Sequence, residues 1–191
     1  MAGKIVLDAE SIERTLTRIA HELIEQADDL ERVALVGIHC RGVPIAERLR
    51  KLIAERAGVE IDLGVIDITF YRDDVQVRGG EAPLHPQPVV RATSLDFPLE
   101  GKTCILVDDV LYTGRTIRAA IEALFDYGRP ERVQLAVLVD RGHRELPIRP
   151  DYTGKNLPTS RSERIQVRLA EVDGEDAVLL IPAPDEGGSN G

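Results

Sequence analysis

Ile105-Leu106-Val107-Asp108-Asp109-Val110-Leu111-Tyr112-Thr113-Gly114-Arg115-Thr116 decides the fold of this chain. Together with Thr103 and Cys104, its first three residues read as a short strand buried on both faces. Two acids follow directly, then a Thr-Gly-Arg-Thr turn. Ile117, Ala120, Ile121, Leu124 and Phe125 then recur at helical spacing up to Gly128. In open α/β sheets, ligands bind beyond the C-terminal ends of the strands. Backbone N–H groups and hydroxyls in a turn that opens a helix hold phosphate, helped by the helix dipole. Adjacent carboxylates suit polyol hydroxyls, with or without Mg²⁺. Phosphate and hydroxyls together describe a sugar phosphate. A lone Asp-Asp pair would read as solvated acids in an ordinary turn. The apolar strand before it and the turn after it favour a site.

Outward from this segment the same alternation repeats. Ile12, Leu16, Ile19, Leu23 and Ile24 predict a helix within residues 8–28, and Arg32 to Ile38 a buried strand. Pro44 sits at a helix start, and Ile45, Leu49, Leu52 and Ile53 continue one face. Ile61 to Phe70 is strand-like. Arg72 to Ser94 is too polar and too broken by Gly79, Gly80, Pro83, Pro86 and Pro88 for core structure, so it is expected to be a functional or flexible loop. Val133 to Val139 predicts another buried strand, and Asp140 to Ser162 reads as turns. Ile165 to Leu169 and Ala177 to Ile181 read as shorter strands, and residues 182–191 as a tail without structure. Buried strands alternating with helices put the chain in the α/β class, with a mostly parallel sheet. One domain over residues 1–181 is expected.

Composition narrows the function classes. The chain has 191 residues, 43% hydrophobic and 30% charged, which excludes disordered and collagen-like chains. No apolar run approaches the ~18 residues that span a bilayer, and Met1 to Glu10 lacks a signal pattern, so a cytoplasmic protein with no membrane partner is expected. Cys40 and Cys104 lack disulfide or zinc spacing and read as small buried hydrophobes. The net charge of −9 argues against non-specific nucleic-acid binding. Arg129 to Arg168 nevertheless holds nine basic residues against five acids, a local surface on which a polyanion can dock.

Val107 to Thr116 resembles the phosphoribosyl pyrophosphate (PRPP) signature of type I phosphoribosyltransferases. Four further stretches narrow the resemblance to the PyrR family, which combines pyrimidine operon attenuation with uracil phosphoribosyltransferase activity. They are Leu16-Thr17-Arg18-Ile19-Ala20-His21-Glu22, Asp67-Ile68-Thr69-Phe70-Tyr71-Arg72-Asp73-Asp74, Val139-Asp140-Arg141-Gly142-His143-Arg144-Glu145-Leu146-Pro147-Ile148-Arg149 and Gly154-Lys155-Asn156-Leu157-Pro158-Thr159-Ser160. The resemblance runs from about Ile5 to Ile181, and the block from Val139 is its most specific part.

The resemblance implies a type I phosphoribosyltransferase fold, a central sheet flanked by helices with a small hood. It also implies roles residue by residue. Asp108 and Asp109 would bind the ribose hydroxyls, and Thr113, Gly114, Arg115 and Thr116 the 5'-phosphate, with Val107, Val110, Leu111 and Tyr112 completing the loop. Gly37-Ile38-His39-Cys40-Arg41-Gly42 matches the pyrophosphate loop, Arg41 supplying charge; His39 and Cys40 receive no catalytic role. Asp108, Asp109 and Arg41 form the catalytic set. Arg72 to Val90 corresponds to a mobile hood that keeps water from an oxocarbenium-like ribose, and Arg72 and Arg78 would meet pyrophosphate on closure. Uracil would be read around Val139, Asp140 and Arg141. Mg²⁺ would accompany PRPP near Asp108 and Asp109, with no protein ligand assigned.

The family also binds a stem-loop in the pyr mRNA leader, under the control of UMP or UTP. Its RNA surface matches Thr17, Arg18, His21, Arg141, His143, Arg144 and Lys155. Thr17 and His21 share one helical face, with Arg18 about 100° round. Arg and Lys suit phosphates, and Thr and His suit unpaired bases. A homodimer or higher homo-oligomer is implied. Two other readings stay open: a salvage phosphoribosyltransferase without an RNA role, and a nucleotide-gated RNA regulator with little turnover.

Overall fold

The computed structural model describes residues 3–71 and 92–182. Its elements run β1 (Lys4–Asp8), α1 (Ala9–Gln26), β2 (Val33–Ile38), α2 (Gly42–Ala57), β3 (Asp62–Ile66), β4 (Thr103–Leu111), α3 (Arg115–Phe125), β5 (Arg132–Asp140), β6 (Tyr152–Asn156), β7 (Arg164–Arg168), α4 (Ala170–Asp173) and β8 (Ala177–Ile181). Five strands form a wholly parallel sheet in the order β3-β2-β4-β5-β6. Side chains alternate between its faces. Val33, Leu35, Ile105, Val107 and Leu138 pack with α1 and α2, whereas Ala34, Val36, Cys104, Leu106 and Val137 pack with α3. The expected α/β architecture is therefore present, with helices on both sides. Among the described residues, no helix is long and apolar enough to cross a membrane.

Cys104 is buried in this core, and burial pushes its thiol up to about 11. Cys40 lies half-buried in the loop after β2.

Four features depart from the sequence reading. First, β4 continues through both acids to Leu111 rather than stopping at Val107. Beyond Val107 it has lost β2 as a neighbour, but β5 still pairs with it at Asp108, Val110 and Leu111. Second, β6 lies within the stretch read as turns. It is an edge strand with few apolar residues, held by β5 on one side and α1 above, so it shows no buried-strand pattern. Third, β3 ends at Ile66, and Thr69–Tyr71 form a 3-10 turn. The Asp67 carboxylate accepts from both the N–H and the hydroxyl of Thr69, which folds the chain away from the strand direction. Fourth, a small antiparallel sheet in the order β1-β8-β7 joins the beginning and end of the described chain. With α4 it makes a second, small lobe that the sequence reading did not separate.

Most of the expected hood at 72–94, with Arg72 and Arg78, and nearly all of the expected tail at 182–191 lie outside the described residues. Where the chain returns, Ser94 pairs antiparallel with Val65, and the Thr93 hydroxyl accepts from the Asp67 N–H.

Candidate active site

The chain leaves β2 to one side, builds β3, and returns to β4 on the other side of β2. The C-terminal ends of β2 and β4 therefore flank a topological switch point, where an α/β sheet opens a crevice. The loop Gly37–Gly42 leaves β2 there and leads into α2. Two glycines let it lie close. A Cβ on Gly42 would sit 2.2 Å from the Val107 carbonyl oxygen, and one on Gly37 would sit 2.7 Å from the Val43 Cα. The loop is thus pressed against β4 at the start of the acidic pair. Its His39–Cys40 peptide is cis.

Asp108 is 7% exposed. Its carboxylate accepts the Asp109 N–H at 2.9 Å, and the Asp109 carboxylate accepts the Val110 N–H at 2.8 Å. Burial pushes the Asp109 carboxyl above the usual carboxylate range; Asp108, the Val110 N–H and the nearby Arg41 charge oppose that push. Val107 and Leu111 belong to the core, so only their backbones can face a ligand.

The turn after β4 has the form an anion site needs. Gly114 adopts a φ of +95° at the N-cap of α3, a conformation open to glycine and strained for most other residues. The Thr113 hydroxyl oxygen accepts the Arg115 N–H at 3.3 Å. The N–H groups opening α3 have no partners inside the helix and face the same end of the sheet.

A second loop, after β5, braces this turn. The Glu145 and Leu146 N–H groups both donate to the Thr113 carbonyl, at 2.9 and 3.2 Å, and Arg115 pairs with Glu145 at 2.9 Å. Arg144 donates to the Tyr112 carbonyl, the Ile148 carbonyl and the Asp140 carboxylate, at 2.9, 2.8 and 2.6 Å. The Arg141 N–H donates to the Leu111 carbonyl at 3.1 Å. Its side chain is 7% exposed and donates to Thr159 Oγ1 and to the Ser160 and Glu163 carbonyls, while its guanidinium lies 4.2 Å from the Tyr112 ring centre. His143, at a φ of +62°, bonds the Thr159 carbonyl oxygen and meets Tyr112 edge to face.

Arg41, Gly42, Asp108, Asp109 and the Thr113–Thr116 turn therefore come together at one end of the sheet, with Val139 to Arg141 beside them. The seven residues matched to an RNA surface divide. Arg18 donates to the Thr153 and Gly154 carbonyls of β6, next to Lys155, and to the Glu22 carboxylate; Thr17 and His21 lie on the same helix, α1. Gly154 permits this close seating, since a Cβ there would lie 2.7 Å from Thr15 Cγ2. Arg141 and Arg144 belong instead to the bracing loop, their donors turned inward.

One functional neighbour escaped the sequence reading. Arg41 is paired with Asp173 of α4, Nε to Oδ2 at 3.1 Å and Nη2 to Oδ1 at 2.7 Å. The acidic run Glu171 to Asp176 was the available signal, but its partners lie more than a hundred positions away in the chain.

Among the described residues, no group of three or more His, Cys, Asp or Glu side chains is arranged to hold a metal ion. The two carboxylates still fit Mg²⁺ of the kind that arrives with a phosphorylated substrate, held by one or two carboxylates and mostly by phosphate oxygens.

Comparison with known proteins agrees with this geometry. A model of the phosphoribosyl transferase domain matches residues 3–171. Proteins named bifunctional protein PyrR match along most of their length. The one from Roseiflexus sp. is 57% identical over 182 residues, 95% of this chain and 96% of the relative. That from Clostridioides difficile is 56% identical over 175 residues, 92% of this chain and 96% of the relative. Among solved structures, the hypoxanthine phosphoribosyltransferase of Trypanosoma cruzi superposes with a TM-score of 0.69 at 16% identity, covering 96% of this chain and 98% of the other. That likeness is one of fold.

Proposed function

The chain belongs to the PyrR family of phosphoribosyltransferases, and from that premise we propose that it converts uracil and PRPP to UMP and diphosphate and also regulates pyrimidine synthesis by binding the pyr mRNA leader. One observation carries the catalytic half. The acidic pair at the end of β4, the glycine-opened turn into α3 and the loop Gly37–Gly42 meet at the switch point of the sheet.

In the reaction, the bond from C1' to the pyrophosphate oxygen breaks, a ring nitrogen of uracil bonds to C1', and that nitrogen loses its proton. Most of the work is positioning and charge. The turn Thr113 to Thr116 holds the 5'-phosphate, with Val107, Val110, Leu111 and Tyr112 shaping the loop. Asp108 and Asp109 hold the ribose hydroxyls beneath the developing positive charge. Arg41 and the backbone around Gly42 meet the departing pyrophosphate; Arg72, expected to join them, lies outside the described residues. Asp108 and Asp109 would lie close to Mg²⁺ carried in with PRPP, and that ion would supply neutralising charge for the leaving group. The uracil edge meets the backbone of Val139, Asp140 and Arg141, where side-chain identity matters little.

The RNA half rests on α1 and β6, which carry Thr17, Arg18, His21 and Lys155 and are joined by the Arg18 bonds to the Thr153 and Gly154 carbonyls. His143 and Arg144 extend this surface only at its border with the active site, and the burial of Arg141 gives that residue a bracing role in the same reading. UMP or UTP in the active site would reach this surface through the loop after β5. A homo-oligomer would present the surface more than once.

Changing Asp108 and Asp109 together to Asn tests the reading. In an assay of UMP formation from uracil and PRPP with Mg²⁺, turnover is expected to fall by about a thousandfold or more. Unchanged turnover in a folded variant would remove the carboxylates from the mechanism.

A further inference from the structure

We propose that Asp173, in the small lobe, is a positioning residue for pyrophosphate recognition that holds the Arg41 guanidinium aimed at the leaving group. This rests on the reading of Arg41 as the pyrophosphate contact. Arg41 immediately precedes Gly42, where a Cβ would lie 2.2 Å from the Val107 carbonyl oxygen and 3.3 Å from the Asp108 Cα, so the Arg41 side chain starts beside the acidic pair. An arginine at the end of a glycine-pressed loop has several rotamers open to it, and ordering it when the donor binds costs entropy. Asp173 removes that cost in advance. Its two carboxylate oxygens take Nε and Nη2 side-on. Among the described residues, Nη1 has no hydrogen-bond partner and keeps its two N–H groups for an anion.

The carboxylate is itself fixed, because Asp173 Oδ2 also accepts the Leu169 N–H at 2.9 Å. Arg41 beside it holds its carboxyl below the usual carboxylate range. A parallel contact shows what simple docking looks like. Seven positions on, about two helical turns, Arg48 donates to both Glu171 and Asp176 at 2.6 to 2.8 Å. That cluster binds the same lobe to the same helix with no link to the crevice. The pair at Arg48 attaches the lobe, and the pair at Arg41 uses it.

Steady-state kinetics on the full chain separate these roles. Asp173→Ala is expected to raise the KM for PRPP about fivefold with kcat within about twofold, as for loss of one charge-assisted contact to a bound group. Asp173→Glu should recover part of that loss, and Asp173→Asn, which keeps one neutral acceptor, should fall between if the alanine variant folds poorly. Glu171→Gln should leave the KM for PRPP unchanged, since Asp176 still holds Arg48. A KM that stays level or drops in Asp173→Ala would overturn the proposal, a drop meaning that Asp173 competes with pyrophosphate. An equal rise in Glu171→Gln would also overturn it, assigning the effect to lobe docking. Arg41→Ala distinguishes the two levels. If it leaves the KM for PRPP unaltered, the reading of Arg41 itself fails; if it raises KM while Asp173→Ala does not, only the role of Asp173 fails.

Discussion

Two loops leave the C-terminal edge of the same sheet, one after β2 and one after β5, and both bring arginines to the crevice. The first holds Arg41 by one side of its guanidinium, with Nη1 left over among the described residues. The second spends Arg141 and Arg144 on carbonyls, a hydroxyl and Asp140, all within the protein. Residue type is the same, yet one loop leaves its arginine partly exposed, whereas the other buries Arg141 and ties Arg144 to the Ile148 carbonyl and the Asp140 carboxylate. Burial separates the two arginines: Arg141 is 7% exposed and closed in by Thr159, Ser160 and Glu163, whereas the Arg41 side chain is 30% exposed. Charge alone does not.

The largest effect on stability is expected at Arg141. Arg141→Ala removes a buried side chain and leaves three part-buried acceptors without it, so a loss of about 3 kcal/mol in unfolding free energy is expected from urea denaturation. A loss under about 1 kcal/mol would mean the bracing loop stands without it. Gly42→Ala sharpens the other side. Its Cβ would meet the Val107 carbonyl at 2.2 Å, so the loop must move away from β4. A fall of about a hundredfold in kcat/KM is expected from that displacement, and activity within about threefold of the parent would show that the close approach is unimportant.

The smallest effect is on acid stability. Arg48 holds the carboxyls of Glu171 and Asp176 below their ordinary values, and Arg41 does the same for Asp173. A carboxyl with a lowered pKa in the folded state contributes stability that is full above its unfolded pKa and is lost as pH falls through the folded one. Thermal unfolding followed from about pH 6 down to about pH 3 should therefore show a declining midpoint, and Glu171→Gln should flatten the decline. An identical slope in the variant would show that these pairs do not couple the lobe to folding. Asp109 has the opposite sign. Its raised pKa makes the ionised form a cost to folding at neutral pH.

The parts legible in the sequence are those whose cause is local. β2, β4 and β5 appear as apolar runs because both faces of a parallel sheet are buried, and α1 and α3 show their stripes because each covers one face. The acidic pair and the glycine turn were equally legible, since both sit in one continuous segment. β6 was hidden because Tyr152 to Asn156 is a half-covered edge strand whose pairing with β5 does not depend on its side chains. The small lobe was hidden because it joins β1 to β7 and β8 across almost the whole chain. The same distance conceals whether an arginine is spent or available. Arg141 looked like a surface cation until Thr159, Ser160 and Glu163 closed around it, and Arg41 looked unaccompanied until α4 supplied Asp173.

In the proposed mechanism the loop after β2 and the turn after β4 form one site for the phosphoribosyl donor. Calorimetric titration of PRPP with Mg²⁺ into the full chain, repeated with pyrophosphate present, tests it most directly. Saturable PRPP binding is expected that pyrophosphate weakens competitively and that Arg41→Ala makes insensitive to pyrophosphate. PRPP binding indifferent to pyrophosphate in the parent protein would contradict it.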